Sequence, residues 1–266
     1  MIKITFRPDE PAILKKNATI WQTELGIAKT TKDNALIAAG NNKKDGTYLK
    51  AEKEYDNIVS KYNHDDVKNA LYAMPNGKKC VYCGSILTIR AVIYKDIEHW
   101  IPKSLDYTKC FDWKNLFLCC KSCNTTKSDY DTRTLPFLHP ENHNPEDFMA
   151  YEMVTGKPFA VSNEPNTIAT IEKCGLDKAD ITNLYQKEIH NFEISIEHHI
   201  ESILSGDIHI LHSKMLYYRK FGDSNAKFTG LLRFLFRNSA IMNAAKDFIN
   251  AHQKDLGLTT PFEWVW

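Results

Sequence analysis

The sequence predicts an α+β chain that is mainly helical, and three observations carry that reading. Two short cysteine pairs, Cys80-x-x-Cys83 and Cys120-x-x-Cys123, bracket a segment rich in β-branched and aromatic residues. After residue 180, apolar residues recur three or four apart, the period of a helix buried along one face. A charged run from Thr47 to Lys61 also reads as helical and opens after a polar Gly40–Gly46 turn.

Taken in order, Ile2-Lys3-Ile4-Thr5-Phe6 is strand-like, and residues 1–66 are expected to form a wrapping extension rather than a core of their own. A short helix over Val67–Ala73 stops at Pro75-Asn76-Gly77, which leads into the first cysteine pair. Ile86–Tyr94 reads as a strand or tight hairpin ending at Lys95-Asp96. Leu116-Phe117-Leu118 reads as a second strand, followed by a short helix from Lys121 to about Tyr130. Pro136, Pro140 and Pro145 mark an irregular connection, so a boundary is expected at 135, with 67–135 as a compact core and 136–266 as a mainly helical region. One apolar stripe runs through Ile189, Phe192, Ile196, Ile200 and Ile203. A second runs through Phe228, Leu231, Leu232, Leu235, Ile241, Ala245, Phe248 and Ile249. The terminal Phe262-Glu263-Trp264-Val265-Trp266 alternates like a half-buried strand.

Composition bounds the function. A chain of 266 residues with 43% hydrophobic and 25% charged residues belongs to the ordinary globular class. No apolar run is long enough to span a bilayer, and the opening MIKITFRPDEP lacks a secretory apolar block, which points to the cytoplasm and to no membrane partner. A net charge of +1 argues against an indiscriminate nucleic-acid coat protein, while leaving local nucleic-acid binding open.

Seven cysteines are an odd count, and a reducing compartment favours metal thiolates over cystines. Each Cys-x-x-Cys turn presents two thiolates from one loop, so Cys80, Cys83, Cys120 and Cys123 suit a tetrahedral, structural Zn2+ with residues 84–119 looped out between them. Cys119 adjoins Cys120, but only Cys120 gives the two-residue gap to Cys123. Cys110, Cys119 and Cys174 read as free thiols.

The looped-out segment holds the groups that phosphodiester hydrolysis requires, a base and the ligands of a cation. His99 is the candidate base, because imidazole titrates nearest neutrality. Glu98 and Asn124 offer hard oxygen donors suited to Mg2+ or Mn2+, and Asn115 carries an amide able to fix the backbone or the imidazole around His99. Glu98 and His99 are adjacent, so on a regular strand they face opposite ways. They can serve one site only if the chain leaves extended geometry there.

Three stretches, Glu98-His99-Trp100-Ile101-Pro102-Lys103-Ser104, Trp113-Lys114-Asn115-Leu116 and Cys120-Lys121-Ser122-Cys123-Asn124-x-x-Lys127, resemble the HNH endonuclease family in its zinc-stapled form. The resemblance spans roughly residues 78–130. It implies a small ββα-metal core, His99 as base, Asn115 as orienting residue, and Glu98 with Asn124 on one divalent ion. The sequence departs from the familiar pattern in having Glu98 for an aspartate and Asn124 for the final histidine, both still oxygen donors. A wider likeness, through Asp112-Trp113, Leu138-His139-Pro140, Gly156 and Thr167–Asp177, extends to the HNH nucleases of Septu-type and retron-associated anti-phage defence. It implies action beside an ABC-type ATPase and, in the retron case, a reverse transcriptase. Cys174 stands where that pattern has a leucine.

Competing readings stand beside these. Lys103, Lys121 and Lys127 lie near the proposed centre and suit phosphate contacts, with solvated lysines as the alternative. Trp100 and Trp113 are more often core aromatics than base-stacking platforms. The rival to catalysis is a zinc-stabilised module that binds nucleic acid or protein, which leaves the joint occurrence of Glu98, His99 and Asn124 without a reason.

Overall fold

The computed structural model describes residues 1, 3–75, 78–87, 95–134, 136–197, 199, 203, 206–224 and 226–266. It is mainly helical, at 56% helix, with two small antiparallel sheets. The predicted strand or hairpin over Ile86–Tyr94 falls largely on 88–94, outside the described residues; Ile86 itself makes a single bridge to Lys79.

The opening segment corrects one expectation. Residues 3–11 are extended but join no sheet. Ile4 donates its amide to the Pro140 carbonyl (2.7 Å). Arg7 clamps the segment down, its guanidinium bonded to the Trp113 and Leu116 carbonyls and to Glu141, and lying over the Trp113 and Phe117 rings. Helix α1 (Ala12–Ala38), which the sequence reading did not anticipate, packs along α2 (Gly46–Val59). Asp45 caps α2 by accepting from the Thr47 and Tyr48 amides, and a 3-10 turn, Ser60–Asn63, continues it. α1 also leans on residues 107–111 through Trp21 edge-on to Phe111 and Gln22 bonded to the Tyr107 carbonyl. Helix α3 spans Asp65–Tyr72, close to expectation.

The central unit is a strand pair and a helix. β1 (Lys95–His99) runs antiparallel to β2 (Leu116–Cys120), with Glu98 opposite Phe117 and His99 opposite Leu116. β2 is buried along its whole length and passes directly into α4 (Lys121–Lys127). β1 therefore starts at Lys95, where the sequence reading ended its strand, and the chain stays extended through His99. A second hairpin follows, β3 (Met149–Tyr151) with β4 (Pro158–Ala160), also unanticipated within the helical region. Its turn needs Gly156, which has φ +68°; an added Cβ would lie 2.9 Å from the Gln186 amide nitrogen on the next helix but one.

Helix α5 (Pro165–Cys174) starts with proline and ends at left-handed Gly175. Then come α6 (Ala179–Glu197), α7 (Ile208–Arg219), α8 (Thr229–Asn238) and α9 (Ala240–Ala251). The stripe residues Ile189, Phe192 and Ile196 are buried, as are Phe228, Leu231, Leu232, Leu235, Ala245 and Ile249. The second stripe is divided between two helices at Ser239, whose hydroxyl accepts from the Met242 amide. The terminal segment alternates as predicted, Phe262 and Trp264 buried and Val265 exposed, yet it is not a strand. Its backbone partner is the Asn250 side-chain amide, bonded to both the Phe262 amide and its carbonyl.

Candidate functional site

The cysteine pairs meet at the base of the β1–β2–α4 unit. The first forms a tight turn, with the Gly84 amide on the Cys80 carbonyl, the Cys80 amide on the Ser85 carbonyl and the Val81 amide on the Leu118 carbonyl. Gly84 turns at φ +78° with its Cα region pressed on the Phe228 backbone. The second pair opens α4, where the Cys120 sulfur caps the helix by accepting from the Cys123 amide (3.5 Å). All four Sγ atoms lie within 4.8 Å of one another and all four residues are buried. Tetrahedral Zn2+ with Zn–S near 2.3 Å demands S···S edges of about 3.8 Å, and Cys83 and Cys120 stand 3.8 Å apart. The donor set and spacing thus fit a four-thiolate ion. The crowded thiols share protons: hydrogen bonds from Cys119 and Cys123 draw Cys120 down, while Cys83 and Cys123 are pushed up. Cys119 Sγ sits 3.7 Å from Cys80 Sγ, a fifth thiol at the edge of the group. Cys110 and Cys174 are free and buried, as expected.

Beside this cluster a cleft of about 720 Å³ opens between the N-terminal helices and the β1–α4 face. His99, Glu98, Asp96, Asn124 and Lys103 line it, with Tyr55, Tyr62 and Asp129 around them. Three residues of the predicted centre, Glu98, His99 and Asn124, therefore reach one cavity without a break in β1, because the strand's end forms the cleft wall and both of its faces border the space.

His99 is the last residue of β1 and is buried. Its Nε2 lies 3.0 Å from the Cys110 carbonyl oxygen. A carbonyl only accepts, so Nε2 carries the proton and Nδ1 keeps its lone pair. The Tyr62 ring meets the imidazole edge-on at 4.6 Å. Burial, with the Lys103 charge adding to it, pushes His99 down to about 3, which keeps the ring neutral.

Asn115 does not touch the imidazole. Its Oδ1 accepts from the Ile101 amide (2.7 Å), and its Nδ2 donates to the Ile101 and Lys109 carbonyls (both 3.0 Å). Its own carbonyl receives the Trp100 amide. The side chain ties both ends of the 101–109 loop to β2, and the residue after Lys109 is the one whose carbonyl holds His99.

Glu98 and Asn124 reach the cleft by different routes. Glu98 Oε1 lies 2.5 Å from Lys127 Nζ, with side-chain exposures of 3% and 1%, and 3.3 Å from the Tyr82 hydroxyl. Burial pushes the Glu98 carboxyl up from its ordinary range, and Lys127 opposes that shift. Both contacts fall on Oε1. Asn124 is half-buried, and its Nδ2 donates to Asp96 Oδ2 at 3.1 Å.

The three lysines differ. Lys127 is interior: besides Glu98 it donates to the His99 carbonyl (3.0 Å), which commits its ammonium to the protein rather than to a phosphate. Lys103 borders the cleft with Nζ 5.4 Å from the Tyr62 ring. Lys121 is exposed at the start of α4. Trp113 is a core residue whose indole donates to the Pro8 carbonyl, and Trp100 packs edge-on to Phe117 and Phe137. Among the other histidines, His199 bonds Tyr218 and the Ser195 carbonyl.

Sequence reasoning missed Asp96, Tyr62 and the Cys110 carbonyl. Asp96 was legible, since it stands two residues before Glu98 and so shares its strand face. Tyr62 arrives from a distant helical turn, and a backbone acceptor leaves no mark in side-chain composition.

The strand pair, the helix that follows it, His99 and both cysteine pairs all fall within one stretch of the chain. Residues 80–130 match the HNH endonuclease family. This HNH segment covers β1, β2, α4 and both cysteine pairs. Over 74 residues the chain is 36% identical to Septu protein PtuB of Bacillus thuringiensis, a likeness that spans 28% of this chain and 28% of that protein. The chain thus carries an HNH segment, and its similarity to the Septu protein covers little more than a quarter of that protein's length. Among the described residues, no helix is long and apolar enough to cross a membrane.

Proposed function

We propose that the chain is a divalent-cation-dependent HNH endonuclease that hydrolyses nucleic-acid phosphodiester bonds as the effector of an anti-phage system. The observation that supports it most is the hold on His99: Nε2–H is fixed on the Cys110 carbonyl, so the Nδ1 lone pair is free in a cleft shared with Glu98 and Asn124.

In this reading Nδ1 of His99 takes a proton from water, and the resulting hydroxide attacks phosphorus in line with the departing oxygen. Asn115 sets the position of Nδ1 indirectly, by fixing the loop that carries the Cys110 carbonyl. Glu98, through the Oε2 that Lys127 leaves aside, and Asn124, through Oδ1, would hold Mg2+ or Mn2+, which when bound stabilises charge on the phosphate and the leaving oxygen. Asp56, Asp96, Glu98 and Asp129 make the cleft rich in carboxylates against one lysine, Lys103. A polyanion enters such a cleft far better once cations are present, which also favours metal dependence. Lys103 suits a phosphate contact from the cleft wall, and Lys121 from the surface beside it. The four cysteines hold Zn2+ as a closed, structural site.

The likeness to a Septu protein supports a role in anti-phage defence; in this reading the chain acts in the cytoplasm beside an ABC-type ATPase and, in a retron setting, a reverse transcriptase. Incubating plasmid DNA and RNA with the protein and Mg2+ or Mn2+ tests the chemistry. Cleavage that leaves 5′-phosphate and 3′-hydroxyl ends, and that His99→Ala abolishes, is the expected result. Cyclic-phosphate products, or cleavage indifferent to His99→Ala, would overturn it.

A further inference from the structure

The β1–α4 face carries two parallel rungs. Asp96 and Glu98, two residues apart, project from the same side of the strand. Asn124 and Lys127, three apart, project from the same side of the helix. Glu98 meets Lys127, and Asp96 meets Asn124. The inner rung is a charge pair almost wholly out of solvent, with Glu98 bordering the cleft and Lys127 behind it. The outer rung joins a carboxylate to a neutral amide, and both of its members line the cleft.

An amide side chain has one acceptor and one donor end, and rotation by half a turn exchanges them. Asp96 Oδ2 receives a hydrogen bond from Asn124 Nδ2. The reverse orientation would set the Asn124 oxygen against a carboxylate oxygen, two acceptors with no proton between them. Asp96 therefore holds the amide in one sense, nitrogen toward itself and Oδ1 away from it.

We infer that Asp96 is a positioning residue for the catalytic cation: it acts through Asn124, by turning that amide's oxygen toward the site. The inference rests on the proposal that Asn124 is a ligand, and it adds a residue that the HNH-like motif residues read from the sequence do not include. Outer partners of this kind typically change metal affinity by 10- to 100-fold. Asp96→Ala thus weakens cation binding by freeing the amide to rotate. Asp96→Asn removes the charge and keeps an oxygen that can accept from Asn124, but its own Nδ2 can also donate to Asn124 Oδ1, so it holds the orientation only in part.

The test is direct Mn2+ binding to the full zinc-loaded chain, by calorimetry and by the electron paramagnetic resonance of free Mn2+, with no substrate present. Expected are a 10- to 100-fold rise in Kd for Asp96→Ala, a smaller rise for Asp96→Asn, and a double variant Asp96→Ala/Asn124→Ala no weaker than Asn124→Ala alone. Unfolding temperature and zinc content are measured in parallel, so that a fold defect is not mistaken for a binding one. Additive losses in the double variant would show that Asp96 acts on the cation independently of Asn124 and overturn a positioning role. Unchanged Mn2+ binding in Asn124→Ala would instead remove the ligand beneath the inference, an outcome visible separately from the Asp96 series.

Discussion

Lys127 and Glu98 form an ion pair sealed within the β1–α4 face, 2.5 Å apart and almost wholly out of solvent. Two charges in such a place are costly to desolvate and are held by each other and by the His99 carbonyl and Tyr82 hydroxyl. Removing one partner strands the other. Lys127→Met is therefore expected to lose about 3–5 kcal/mol of folding stability, and Lys127→Met/Glu98→Leu to recover much of that loss. Denaturant unfolding of the two variants checks this; a single substitution costing under about 1 kcal/mol would mean that water reaches the pair.

The Asn115 side chain makes three hydrogen bonds to the loop that orients His99. Asn115→Ala leaves the Ile101 amide and the Ile101 and Lys109 carbonyls without that partner, at about 1–3 kcal/mol for each group that stays buried. Asn115→Asp should be worse still, since a carboxylate would face two carbonyls that need donors. In cleavage assays both variants are expected to fall far below wild type, with Asn115→Asp at or below Asn115→Ala. The reverse order would show that charge, not donation, is what this position supplies.

The depressed His99 value makes a statement about stability and pH. Burial holds the folded ring near 3, against 6.5 unperturbed. Between those values the unfolded chain binds a proton that the folded chain does not, so stability falls as pH drops below 6.5 and is flat above it. The slope is at most about 1.4 kcal/mol per pH unit. Glu98 shifts upward and contributes in the opposite sense, stability being lost as pH rises above its ordinary range. Comparison with His99→Gln isolates the imidazole, because Glu98 remains in both proteins. Unfolding curves from pH 4.5 to 7.5 should show the wild type steeper by about one proton; parallel curves would mean that the folded ring ionises freely.

How legible the site was follows from what each contact is made of. Cys80, Cys83, Cys120 and Cys123 announced themselves because ligands of one ion must recur at short paired spacings, and their sulfurs do gather in one group. Glu98, His99 and Asn124 were singled out because chemically demanding residues cluster in one short segment, and they do border one cleft. The strand limits were harder. Ile86–Tyr94 has the β-branched composition of a strand and lies largely outside the described residues, whereas the described strand Lys95–His99 is charged at three of its five positions when His99 is set aside. It is held by pairing with the buried, apolar Leu116–Cys120, so tertiary context overrode composition. Lys127 looked like a phosphate contact because sequence shows its charge and not its burial. Helix α1 escaped notice because only Leu14, Leu25 and Ala28 of its 27 residues are buried, too sparse a stripe to register.

The thiol cluster gives the sharpest discrimination among residues of one type. Cys83 and Cys120 stand on opposite pairs and are buried with their sulfurs 3.8 Å apart, whereas Cys119 lies at the group's edge against Cys80 alone of the first pair. Replacement of a ligand leaves three thiolates and an open corner, and metal binding is coupled to folding in such sites. Cys83→Ser and Cys120→Ser are thus expected to lose bound zinc and to unfold well below the wild-type temperature. Cys119→Ser and Cys174→Ser should keep one zinc per chain. Chelation should lower the wild-type unfolding temperature toward that of Cys83→Ser and leave the latter unmoved. Zinc lost on replacing Cys119 but retained on replacing Cys120 would exchange their roles, and would move the second pair's anchor from the cap of α4 back into β2.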